Sequence, residues 1–82
     1  RNADTLGQVL MALGQNATAR FVLINAVELA PAEPAPRFHL GLLYLRSGDV
    51  ELARQSLQTA LNLDPQGPLA DTIRNVIERY LP

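Results

Sequence analysis

The sequence predicts an all-α fold: an α-α superhelix of two helix-turn-helix repeats followed by a closing carboxyl-terminal helix. Three observations predict it. Apolar residues recur at helical spacing from end to end, without the sustained two-residue alternation of a half-buried strand. Four clusters of breakers, "LGQN" at 13–16, "PAEPAP" at 31–36, "SGD" at 47–49 and "DPQGP" at 64–68, divide the periodic segments. The chain also matches itself at an offset of 34 residues.

The breakers leave five helices, expected near 3–13, 17–30, 35–46, 50–63 and 69–80. Asn16 and Asp49 are the expected N-caps, because a short side-chain oxygen can accept from free amides of the first turn. Pro36 and Pro68 fall near helix starts, where a missing amide hydrogen costs little. At the 34-residue offset Leu6 matches Leu40, Gly7 Gly41, Gly14 Gly48, Ala19 Ala53 and Arg20 Arg54. The register continues without a gap through Leu23 and Leu57, Ala26 and Ala60, Leu29 and Leu63, Pro31 and Pro65, and Pro34 and Pro68. These ten identities in 34 positions compare with roughly three by chance in a chain rich in Leu and Ala.

Together these residues resemble the tetratricopeptide repeat, whose 34-residue pattern is W-x2-L-G-x2-Y, then A-x3-F, then P. The second copy supplies Leu40-Gly41-x2-Tyr44, Ala53-x3-Leu57, Ala60 and Pro65, with Arg37 where the family often has Trp. The first supplies Leu6-Gly7-x2-Leu10, Ala19-x3-Leu23, Ala26 and Pro31, with Ala3 and Leu10 replacing the aromatics. The resemblance covers about residues 1–67 and implies repeats at 1–33 and 34–67. Gly41 and Ala53 are small so that the two helices of a hairpin can approach closely. Leu40, Tyr44, Leu57 and Leu61 then interdigitate around the contact.

Residues 68–82 are built differently. Continuing the register places Asp71, Arg74, Asn75 and Glu78 on positions that are apolar within a repeat. The opposite stripe, Leu69, Ile73, Val76, Ile77 and Tyr80, can cover the second repeat. The segment resembles the capping helix of the family, which gives an array a polar outer face; a plain amphipathic surface helix would look the same. At the other end, Phe21, Val22 and Ile24 replace Gln55, Ser56 and Gln58. That surface predicts upstream repeats or a second copy covering it, or a local enlargement of the core.

The remaining composition bounds the chemistry. Seven basic and eight acidic residues among 82 give a net charge of −1, so no field favours nucleic acid or an anionic membrane surface. Cysteine is absent, which removes disulfides and thiolate metal sites and leaves the compartment open. No apolar run reaches the ~18 residues of a membrane span. The start, "RNADTLGQ", lacks Met and any signal pattern and reads as a cut end or a processing site. His39 has no second histidine or cysteine with which to share a metal. Ser47 and Ser56 lack a nucleophile elbow. Asn16-Ala17-Thr18, a sequon, reads as a helix start. Neither an enzyme nor a cofactor is expected.

What remains is a binding scaffold. The resemblance implies a groove lined by the first helix of each repeat, where the family commonly takes extended or helical peptides. Carried over by position, the wall holds Asp4, Gln8, Met11 and Ala12, then Phe38, His39, Leu42, Leu45 and Arg46. Phe38, Leu42 and Leu45 make a stripe at i, i+4 and i+7, to be taken up by a ligand or covered by the last helix. One subgroup of the family clamps the acidic tails of heat-shock chaperones with Lys, Asn and Arg. The matching positions here are Asp4, Gln8, His39, Leu69 and Ile73, so a mixed or partly apolar peptide fits better. The alternative is a homo-oligomerisation module that pairs through Phe21, Val22 and Ile24, with no peptide ligand. A regulatory appendage to an upstream enzyme is a third reading.

Overall fold

A computed structural model describes residues 3–82. Five α-helices follow in order: α1 (Ala3–Ala12), α2 (Asn16–Leu29), α3 (Pro34–Arg46), α4 (Val50–Leu63) and α5 (Ala70–Tyr80). They pair as hairpins α1–α2 and α3–α4, with α3 also against α2 and α1, and α5 against α4. The slab measures 27 × 25 × 17 Å.

Each hairpin closes in the same way. The turn after α1 passes through Gly14 and that after α3 through Gly48, both at positive φ, where a side chain would strain the backbone. The amide of Gln15 reaches back to Leu10 O at 2.9 Å and that of Asp49 to Tyr44 O at 2.9 Å, while Gly14 and Gly48 bond Met11 O and Leu45 O. These bonds satisfy carbonyls that the helix end would otherwise leave orphaned. The correspondence continues through Ala19 to Gln15 O and Ala53 to Asp49 O, then Glu33 to Ala30 O and Gly67 to Asp64 O. The 34-residue offset is thus visible bond by bond.

The small residues sit where the hairpins are tightest. A Cβ on Gly41 would lie 2.7 Å from Leu57 Cγ, and one on Gly7 2.4 Å from Leu23 Cδ2; neither distance can be tolerated without movement. Ala19, Ala53, Leu23 and Leu57 are completely buried. Leu23 and Leu57 therefore act as the knobs that the two glycines receive, each contributing roughly 1.5–3 kcal/mol by leaving water. The core continues through Leu40, Leu43, Tyr44, Ala60, Ile73 and Leu81, with Leu61 packed at its edge.

Several local expectations change. The N-cap of α2 is Gln15, so Asn16 is its first helical residue, and Asn16 Oδ1 is buried without a hydrogen-bond partner. Asp49 does cap α4, but its side chain accepts no cap hydrogen bond. The glycine turn sets both outcomes, since the residue after it already commits its amide backwards and its carbonyl forwards. Pro34 opens α3 and Pro36 lies buried in its first turn, where amides have no intrahelical acceptor. In α5 the buried side chains are Ala70 and Ile73, while Tyr80 is exposed and Leu81 is buried instead. The chain leaves the helix after Tyr80, and Arg54 Nη1 donates to Leu81 O at 2.8 Å, which holds Leu81 against the core. Asp71, Arg74, Asn75 and Glu78 are all exposed, so the face of α5 turned away from α4 is polar.

Candidate functional site

The wall predicted for ligand binding runs along α1 and α3, which lie side by side and are tied at two points. His39 Nδ1 donates to Asp4 Oδ1 at 2.8 Å, the carboxylate oxygen accepting. Arg46 Nη1 donates to Met11 O at 3.0 Å, a carbonyl near the carboxyl end of α1, where a cation is favoured by the helix dipole. Both ties were absent from the sequence reading, although all four residues were placed on the wall.

The apolar stripe divides. Phe38 is 7% exposed and belongs to the core cluster, so its expected role as a groove anchor is corrected. Its position on α3 turns it inward, with its ring 5.1 Å from that of His39 between centroids. Leu42, Leu45 and Met11 are half-buried, packed on the core by one side and open on the other. Gln8, Ala12 and Arg46 are exposed. Of the chaperone-clamp positions, Ile73 is buried and Leu69 half-buried, so neither can present a charge-like contact. On these two helices Gln8, Met11, Leu42, Leu45 and Arg46 are exposed or half-buried, with the His39–Asp4 pair beside them.

The second predicted surface also divides. Successive helical residues are ~100° apart, so Val22 and Ile24 point to opposite flanks of α2. Phe21, 75% exposed, shares the outer stripe with Ile24, which α4 lines with Gln55 and Gln58. Those glutamines are exposed although their hairpin has a neighbour on each side. In the second hairpin the outer stripe therefore stays open to solvent although α2 and α5 flank that hairpin.

A different apolar face went unnoticed in the sequence. Leu6 and Val9 on α1 are 50% and 51% exposed, whereas their equivalents Leu40 and Leu43 on α3 are 7% and 1% exposed. The first hairpin covers Leu40 and Leu43; nothing among the described residues covers Leu6 and Val9. Leu13, at the end of the same stripe, is also exposed. The signal was present as the Leu6–Leu40 identity, but a repeat motif marks a position as apolar without saying whether its neighbour exists.

Among the described residues no group of three or more His, Asp or Glu side chains could hold a metal ion, and no helix is long and apolar enough to cross a membrane. The comparisons with known proteins agree with the architecture. A family model described as "Tetratricopeptide repeat" matches residues 6–78. Tetratricopeptide repeat protein 37 of Xenopus laevis is 36% identical over 53 residues, which is 65% of this chain and 3% of that protein. The chain therefore spans a small fraction of the length of that relative. No solved structure matches it. With two hairpins in one register, glycine-seated leucines and a family match across most of its length, the chain belongs to the tetratricopeptide repeat family, whose helical-repeat solenoids generally mediate contacts between proteins.

Proposed function

We propose that the α1–α3 wall docks a peptide segment of a partner protein, with residues 1–33 and 34–67 as the two repeats and 68–82 as the carboxyl-terminal cap of an array. The observation that carries this reading is the combination on one wall of open apolar edges, Leu42 and Leu45, with exposed polar groups, Gln8 and Arg46. Half-open leucines supply area, and the polar groups set direction and register for a peptide backbone. The slab is at most 27 Å long, room for about eight extended residues at ~3.4 Å each. Asp4 and His39 already use each other, so the ligand meets a wall whose remaining exposed cationic group is Arg46, held by its bond to Met11 O. A segment mixing apolar side chains with one acidic residue fits that pattern.

The test compares binding of the partner by the chain, by Leu45→Gln/Arg46→Glu, and by Gln55→Ala on the outer face. Loss of binding in the wall variant, with unchanged helicity and full retention in the outer variant, is expected. Equal binding by all three would remove the wall from consideration.

A further inference from the structure

We propose that the cleft between the start of α2 and the α3–α4 turn is a subsite for the carboxylate of an acidic side chain on a partner protein. It shares no residue with the α1–α3 wall, so it stands whether or not that wall docks a peptide.

The two repeats differ at this point. In the second, the arginine on α4 is engaged twice: Arg54 Nη1 donates to Leu81 O at 2.8 Å, and its Nε lies 3.9 Å from Glu51 Oε2. Leu81 is the C-cap of α5, as Ser47 is of α3. One guanidinium thus serves a helix-end carbonyl and a carboxylate one turn back on its own helix. In the first repeat the same arginine recurs as Arg20, but Ala17 stands where the second has Glu51. Among the described residues Arg20 makes no hydrogen bond and no ion pair. Its planar fork of donors, which matches a carboxylate in shape and charge, is left without the partner that the second repeat supplies internally.

In place of that closed contact the first repeat has a cleft of about 170 Å³, lined by Asn16, Ala17, Arg20 and Ser47. No lining residue is acidic, and Ala17, Arg20 and Ser47 are exposed. The volume is below the ~300 Å³ at which small-molecule sites begin and is on the scale of a single side chain. Asn16 gives a second, independent sign. Its Oδ1 is buried without a hydrogen-bond partner, a costly state for an acceptor. The residue as a whole is only half-buried, so turning its amide towards the cleft lets Oδ1 meet a donor. An acidic residue in a peptide brings both complements at once, a backbone N–H for Asn16 and a carboxylate for Arg20, with the Ser47 hydroxyl as a further donor. A bare inorganic anion brings acceptors alone and leaves Asn16 Oδ1 unpaired.

Amide shifts of the 82-residue chain, followed by NMR during titration with N-acetyl-glutamate N-methylamide and with its neutral glutamine analogue, test the subsite. Saturable shifts at Asn16–Arg20 and Ser47–Asp49 are expected with the glutamate compound, and binding about tenfold weaker or less with the glutamine compound. Arg20→Gln should weaken the glutamate compound by a similar factor with helicity unchanged, because the side chain is exposed. Ala17→Glu rebuilds the internal pair of the second repeat and should exclude the compound as well, whereas Leu45→Gln/Arg46→Glu on the wall should leave its binding intact. The absence of a saturable response, an equal response to the two compounds, or full binding by Arg20→Gln would each overturn the proposal. So would inorganic phosphate shifting these amides where the glutamate compound does not.

Discussion

The first and second hairpins share a hydrogen-bond plan and a glycine-seated leucine, yet differ in what surrounds them. The second is covered on one side by α2 and on the other by α5; among the described residues the first is covered on one side only. Equivalent residues consequently have opposite fates. Leu43 is buried while Val9 is half-exposed, although both are aliphatic and occupy the same place in the same motif. A repeat therefore encodes its own hairpin locally, whereas the burial of its flank depends on the next unit.

Equivalent substitutions in the two hairpins break the comparison most directly. Leu43→Ala should cost about 2–5 kcal/mol, the range for emptying a packed site, whereas Val9→Ala in dilute solution should stay within about 0.5 kcal/mol as a surface change. Urea denaturation of both variants checks this, and similar costs would mean that the flanks are not different environments. Gly41→Ala and Gly7→Ala come next. A methyl group at 41 meets Leu57 near its backbone, while the three atoms nearest to one at 7 all belong to the Leu23 side chain, and none of the described helices lies beyond α1 to keep it from moving outward. Gly41→Ala should lose about 1–3 kcal/mol by overpacking and Gly7→Ala less; a larger loss at 7 would reverse the picture.

The smallest effect concerns the covered end. Arg54→Ala removes the donor to Leu81 O and should cost about 1 kcal/mol. Hydrogen exchange would show it as faster exchange along Ile77–Leu81, with α1 and α2 unchanged. Uniform acceleration through the whole chain would instead make α5 part of one cooperative unit with both hairpins.

The wall and the faces were legible in unequal measure. All five helices fall within a residue of their expected bounds because periodicity and breakers act over short range. Leu42 and Leu45 keep one side open and Arg46 is exposed, and their helical spacing sets the first two a turn apart on one side of α3. Phe38 did not, since a side chain at the edge of a stripe turns inward or outward according to what the adjoining helices leave open. Val22 and Ile24 looked contiguous in sequence but are separated by the turn of the helix.

By itself the sequence determined the hairpins: 34-residue periodicity, glycines at the turns and at the close approaches, and apolar residues at helical spacing are all properties of neighbouring residues along one chain. Only the tertiary structure decided which flanks the described helices cover, that His39 bonds Asp4, that Leu81 and not Tyr80 is buried, and that Leu6 and Val9 are half-exposed among the described residues. Burial is a relation between segments far apart in sequence, and a motif that repeats does not by itself say which of its flanks a neighbour covers.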